Sequence, residues 1–320
     1  MRSMKTMGLS RHRVGDLSQS RVLQRLAPAL SALISTLIRT GKPVPDPRAA
    51  EKAAHRLNVA SATLAASVLM DSAVEHYRGG FKNPAMYTPL LTSAAALAVS
   101  LHGTTDHRRA AHVVRDTVFI VTGAVGLVGT LFHLRNVCKR TGRFSWQNLF
   151  YGAPLGAPFA ISLSGLLGYL SERVRATPLG HPPTVHGIPA GRVVSVLTSG
   201  GLMGTTAEAW LLHFRGSYHN PAMYLPVTMP PVAAGLLLRA ASGPGVTQAP
   251  KTRWWLRATA AMGFAGTIFH AIGVGRDMDG WRNWQQNILN GPPLPAPPAF
   301  TGLALAGLAA LGLMEDHPDD

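Results

Sequence analysis

HYRGGFKNPAMYTP, residues 76–89, returns as HFRGSYHNPAMYLP at residues 213–226. The two stretches share H-[YF]-R-G-x-[FY]-x-N-P-A-M-Y-x-P and stand 137 residues apart (213 − 76). The same offset pairs Gly126, Gly129, Phe132 and His133 with Gly263, Gly266, Phe269 and His270. A third block, QNLFYGAPLGAP from Gln147, returns as QNILNGPPLPAP from Gln286, after two extra residues. Repetition at a fixed offset decides architecture before any single residue is weighed, because each copy is one structural unit. It also filters the residues, since what survives in both copies is what both halves needed.

Composition narrows the class. Apolar residues make up 47% of the 320 and charged residues only 14%, well below the share usual for soluble domains. Eight apolar stretches run approximately over 57–75, 85–102, 117–136, 155–172, 193–214, 222–239, 257–275 and 294–314. Each is close to the ~20 residues that span a bilayer. Segments two and eight carry no charged residue, and four and six only one each at the last position, Glu172 and Arg239, whereas an amphipathic soluble helix would show a polar face. Four stretches fall in each copy, so both halves enter the membrane from the same side, as parallel repeats. The expected fold is therefore all-α and polytopic, with about eight transmembrane helices in two parallel four-helix repeats, at 57–180 and 191–314.

Residues 1–56 read differently. Val22, Leu23, Leu26, Leu30, Leu33, Ile34, Leu37 and Ile38 recur at helical spacing among Arg21, Arg25 and Arg39. Such a helix lies on an anionic membrane surface, or packs on the bundle or a partner. No apolar stretch precedes a small-residue cleavage site, so no signal peptide is expected. Twenty-one Lys and Arg fall in the N-terminal segment and even-numbered loops, against nine in the odd-numbered loops. The positive-inside rule then places the N-terminus in the cytoplasm and the repeated R-G-x-[FY]-x-N-P loops on the outer face of the cell (inner) membrane. The net charge of +15 does not indicate nucleic acid, because the basic residues are not interleaved with aromatics on a stripe. One cysteine, Cys138, allows neither an intrachain disulfide nor a cysteine-based metal knot.

Ionisable groups inside a bilayer are costly and mark function. Asp71 pairs across the repeat with Glu208, His76 with His213 and His133 with His270; Glu75 faces Leu212 and has no counterpart. All four histidines fall near the ends of their segments on one membrane face. Gly129 and Gly126 precede His133 by four and seven residues, and Gly266 and Gly263 precede His270 likewise, so each trio shares a helix face. A smooth glycine face beside a histidine can admit a flat macrocycle. The two histidines of a repeat would then ligate one haem b from opposite sides. The structural alternative is close helix packing on the glycines, with the histidines bonded to loop carbonyls. A second metal reading adds Asp71 or Glu208 to two histidines as a non-haem site, although five residues along a helix turn the carboxylate off the histidine's face.

Arg78 and Arg215 follow the histidines and suit a propionate, a quinone oxygen or a lipid phosphate. Asn83 and Asn220 read as helix caps, with Pro84 and Pro221 at the first helical position. The proline-rich third block leaves the last span of each repeat helical only from about Phe159 and Ala299, with an apolar loop dipping in from the outer face. Paired interruptions at matching positions point to a transporter site. Walker, dinucleotide-binding, H-E-x-x-H and G-x-S-x-G motifs are all missing from the chain. Three functions are therefore expected in order. The first is a haem- or metal-binding redox subunit exchanging electrons with a partner protein on the outer face. The second is a small-solute or ion transporter in which Asp71 and Glu208 couple to protons. The third is a membrane scaffold or assembly factor that captures its partner through residues 1–56.

Overall fold

Proline cannot donate a backbone hydrogen bond, but the first turn of a helix does not need that donor. Pro47 accordingly opens α1, Pro47–Arg78, in the computed structural model of the chain. The structure describes residues 47–178, 181–242 and 249–315. The amphipathic helix expected within the first 46 residues lies outside the described residues. At ~1.5 Å per residue α1 is about 48 Å long, more than the ~30 Å hydrocarbon core. It takes in residues 47–56, which were expected to belong to the N-terminal segment.

The helices that follow are α2 (Thr88–Thr105), α3 (Val113–Cys138), the short α4 (Trp146–Tyr151) and α5 (Gly156–Arg175). A two-residue antiparallel pairing, β1 (Thr184–Val185) with β2 (Ile188–Pro189), leads into the second half. There α6 (Ala190–Arg215), α7 (Leu225–Ser242), α8 (Ala249–Arg276), the short α9 (Trp284–Asn290) and α10 (Pro298–Glu315) follow in the same order of long and short. The interruptions expected before the last helix of each half are present. Their helices resume at Gly156 and Pro298, a little earlier than expected.

Among the described residues, six helical stretches are long and apolar enough to cross a membrane. They are Ala49–Arg78, Pro84–Thr105, Val113–Cys138, Pro221–Ser242, Ala249–Arg276 and Pro298–Glu315. The expected spans over 155–172 and 193–214 are helical, as α5 and α6, but are not among the six. Their polar content explains this: α5 ends on Glu172, Arg173 and Arg175, and α6 carries Arg192, Glu208, His213 and several hydroxyl residues. The chain is thus an all-α protein with multi-pass membrane character.

Packing is antiparallel along whole helix lengths. On α3 and α5, Arg115 bonds Glu172, Gly123 O accepts from Ser162 Oγ at 3.1 Å, and His133 bonds the carbonyl of Pro154 just before α5. The residue numbers of each pair sum to nearly the same value, which is the mark of two helices lying antiparallel end to end. α6 runs against α7 in the same way, through Ser199 to Ala234 O and His213 to Met223 O. α1 and α10 bury most of their surface, whereas α2, α3, α7 and α8 leave theirs largely open. One apolar core, including Leu57, Leu64, Leu163, Leu202, Leu256 and Leu303, runs through both halves.

Small residues let these helices approach closely, as bilayer interfaces require. Ser61 Oγ donates to Ser164 O at 2.8 Å, and Ser164 Oγ returns a bond to Ser61 O at 3.1 Å. Ser100 Oγ joins the pair at 2.9 Å, tying α1, α2 and α5 together.

Candidate functional site

Each repeated loop is built around its histidine. Asn83 Oδ1 accepts from Ala85 N at 2.9 Å and Asn220 Oδ1 from Ala222 N at 2.9 Å. Each caps a single 3-10 turn, Pro84–Tyr87 or Pro221–Tyr224. This is the cap expected from N-P, inserted one turn ahead of α2 and α7. The turn presents a carbonyl back to the preceding helix. His76 Nδ1 lies 2.6 Å from Met86 O, and His213 Nδ1 2.8 Å from Met223 O. The second histidines repeat the device on the interrupted segments, with His133 Nδ1 2.6 Å from Pro154 O and His270 Nδ1 2.7 Å from Pro293 O.

These four bonds fix a chemical state. A carbonyl oxygen can only accept, so each Nδ1 carries a proton, and in the neutral imidazole each Nε2 bears the free lone pair. Backbone carbonyls commonly orient metal-binding imidazoles in this way. His76 and His133 also lie near enough to interact electrostatically, as do His213 and His270. Each half thus carries two histidines of this kind that are electrostatic neighbours.

A strained turn supports each pair. Phe81 (φ 45°) and Tyr218 (φ 46°) occupy the left-handed region, which costs an aromatic residue roughly 1–2 kcal/mol. In return Phe81 stacks on Tyr87 at 4.5 Å and meets His76 edge-on at 6.2 Å. Tyr218 does the same with Tyr224 at 4.6 Å and His213 at 6.1 Å. Burial, and then the neighbouring Tyr224, push the Tyr218 hydroxyl above its usual range.

The glycines serve packing. A Cβ on Gly126 would lie 2.7 Å from Pro158 O and closer still to the Ser162 amide nitrogen; on Gly263 it would lie 2.8 Å from Pro297 O. Gly129 and Gly266 face the rings of Pro158 and Pro297. The face expected to receive a macrocycle is occupied by α5 in one half and α10 in the other. The interrupted proline segments fill it.

The carboxylates have gone elsewhere too. Among the described residues, no three His, Cys, Asp or Glu side chains come together to hold a metal ion. Glu208 accepts backbone hydrogen bonds from Gly156 and Leu155, at the start of the other half's interrupted helix. Asp71 is an electrostatic neighbour of Glu75, Glu208 and Arg78. Pro295 stands where Gly156 stands in the first half and has no amide to offer; there Ser67 Oγ donates to Pro295 O at 2.5 Å. The arginines reach across the same seam. Arg78 pairs with Glu75 at 2.7 Å and donates to Leu289 O, and Arg215 donates to Leu149 O at 3.3 Å with its guanidinium over Phe150. Each half therefore grips the interrupted loop of the other.

Comparison with family models, curated proteins and solved structures finds no match to this chain. The reading of the site rests on its own geometry.

Two features escaped sequence reasoning. The repeated Q-N dipeptide holds a buried asparagine. Asn148 Nδ2 donates to Thr141 O and Arg143 O, and Asn287 Nδ2 to Met278 O and Gly280 O. The repetition of Q-N in both halves was the signal for this knot. The other feature, at the opposite ends of α3 and α5, belongs to the first half alone. Arg115, 1% exposed, donates to Glu172, 0% exposed, and to Asp106 at 2.8 Å. Glu172 also accepts from the His112 amide, and Arg175 donates to Gly103 O. Burial would raise the Asp106 carboxyl, but bonds from the Arg108 amide and the Arg115 and Arg108 side chains hold it well below the usual carboxylate range.

Proposed function

We propose that the chain crosses the inner membrane eight times, as two parallel four-helix repeats. Each repeat binds a metal centre through its two histidines, and the centres exchange electrons with a partner at the histidine face. Support for eight crossings comes from the antiparallel pairings. If α3 crosses, α5, which lies against it end to end, crosses back, and α6 with α7 follows the same logic. α5 and the first half of α6 are largely buried against the other helices, so they tolerate polar residues that a lipid-facing span would not. The N-terminus lies inside and the four histidines lie at the outer face.

The observation that carries the metal reading is the shared state of the histidines. All four Nδ1–H groups are satisfied by backbone carbonyls, leaving four oriented Nε2 lone pairs, two in each half. That donor chemistry fits a single imidazole-binding ion, or a haem iron only where its macrocycle lies off the filled glycine face. A bound centre would supply one-electron chemistry. The chain's own contribution is to hold each imidazole by its Nδ1 and to set Phe81 edge-on to His76 and Tyr218 edge-on to His213. With the glycine face filled, the histidines alone carry the proposal.

The test is an oxidised and dithionite-reduced absorption spectrum of detergent-purified protein, with metal analysis on the same sample. A sharp reduced α-band with iron near two per chain identifies haem b. A featureless spectrum with stoichiometric iron, copper or zinc identifies a non-haem ion. His133→Ala and His270→Ala should each remove one centre without unfolding the protein. Unchanged metal content in both variants, or no metal in protein purified without chelator, would sink the reading.

A second reading has its own observation, since Asp71 and Glu208 meet across the seam beside two interrupted helices. It makes the chain a proton-coupled transporter. Uptake into proteoliposomes should then depend on pH, vanish in Asp71→Asn and Glu208→Gln, and survive loss of the histidines.

A further inference from the structure

The end of α3 carries an uncompensated basic patch that its counterpart lacks. Val128, Leu131 and Phe132 are exposed along the outer stripe of α3. Arg135 and Lys139 follow at helical spacing and are exposed on the same stripe. Arg143, in the turn beyond, is exposed as well. Among the described residues none of these three cations joins an ion pair. At the matching positions of the second half, Arg135 is replaced by Ile272 and Arg140 by Asp277. Lys139 and Arg143 keep basic counterparts in Arg276 and Arg282, but Asp277 and Asp279 offset their charge there.

The first-half loop is also built rigidly. Lys139 N bonds Arg135 O at 2.9 Å and Arg143 N bonds Arg140 O at 2.9 Å. Buried Asn148 holds the carbonyls of Thr141 and Arg143 at 3.0 and 2.6 Å. Arg140 does not join the patch freely, because its guanidinium donates to Tyr151 O at 2.9 Å and pins α4 to the loop. Phe144 and Tyr151 are exposed beside it, 62% and 67% respectively. An apolar stripe on α3, exposed aromatics and exposed cations on a held backbone are thus gathered at one helix end, the same chemistry a phospholipid presents. A generic aromatic belt with snorkelling cations would be needed by both halves alike. The one-sided charge distinguishes the patch from that.

We propose that this edge is a binding site for one anionic phospholipid, its acyl chains along Val128 and Leu131 and its phosphate held by Arg135, Lys139 and Arg143. The inference rests on the bilayer environment and is independent of any metal centre. Juxtamembrane cations each contribute about fivefold to anionic-lipid affinity, so three together supply about a hundredfold.

The test is native mass spectrometry of lipids retained by detergent-purified protein titrated with phosphatidylglycerol or phosphatidylcholine. Wild type should retain phosphatidylglycerol selectively, and R135Q/K139Q/R143Q should lose about a hundredfold of that affinity, with K139Q and R143Q alone losing about fivefold each. R276Q/R282Q in the second half should change nothing. Melting curves confirm that each variant is folded, and the single variants decide the matter if the triple one is not. Equal retention of the two lipids, full retention in the single and triple variants, or displacement by inorganic phosphate as effective as by short-chain phosphatidylglycerol would overturn the proposal.

Discussion

Replacing Gly126 with alanine tests whether the glycine face packs helices or receives a ligand. The added methyl would press on Pro158 O at 2.7 Å and on the Ser162 amide. Both are backbone atoms of α5, so no rotamer change relieves the clash and α3 must move away. Overpacking of a filled interface costs about 1–3 kcal/mol, and an immovable neighbour puts this case at the upper end. For a chain of this size that corresponds to a fall in Tm of about 4–6 °C. The effect should be graded along the face. Gly263→Ala meets Thr301 Oγ1 at 2.6 Å and Pro297 O at 2.8 Å, and should cost nearly as much. Gly129→Ala meets only the Pro158 Cβ, at 3.2 Å, and should cost less than about 1 kcal/mol. Gly235 in α7 has nothing within 4 Å of an added Cβ, so Gly235→Ala should stabilise by up to about 1 kcal/mol through helix propensity alone. Thermal unfolding followed by far-ultraviolet circular dichroism in detergent gives all four values. A Gly126→Ala protein melting within about a degree of wild type would refute the packing argument.

The buried network predicts a second large effect. Glu172→Gln leaves Arg115 without its strongest partner and should cost about 3–5 kcal/mol, whereas replacing Arg115 and Glu172 together by leucine should cost less than either single change. Asp106 gives a pH dependence of definite sign. Its folded pKa is depressed, so its stabilising contribution is complete above the unfolded value of about 3.9 and is lost as pH falls towards the folded one. The Tm gap between wild type and Asp106→Asn should therefore be constant near neutrality and narrow below about pH 4. Asn83→Ala and Asn220→Ala should each cost about 1 kcal/mol, measured by the same melting curves. Both should weaken histidine-dependent metal retention if the cap holds Met86 O and Met223 O in place.

Much of the architecture was legible because it rests on local rules. Prolines mark helix starts, asparagine before proline marks a cap, and runs of apolar residues mark long helices. The pairing of His76 with Met86 O or of His133 with Pro154 O was not legible in detail, although bonds from histidine to loop carbonyls were among the readings. The expected macrocycle face failed for a nameable reason. Sequence shows that Gly126 and Gly129 share a side but not what fills it, and Pro158 and Ser162 lie 29 to 36 residues away. Glu208 was equally opaque, because its amide donors at Leu155 and Gly156 belong to the other half. Arg115 and Glu172 were not singled out at all, since opposite charges 57 residues apart announce no contact until α3 and α5 are laid together.

The reciprocal grip across the seam bears on how the protein is made. Gly156 and Leu155 leave the ribosome about 50 residues before Glu208, which at roughly 5–20 residues per second is an interval of about 3–10 s. During that time the first half sits in the translocation machinery with two amide donors and the Leu149 carbonyl unserved. Each half holds its interrupted loop only in part from its own residues, so separately expressed halves should be degraded faster alone than when coexpressed. Duplication of an ancestral four-helix unit would, on this view, have replaced a dimer contact with a covalent one.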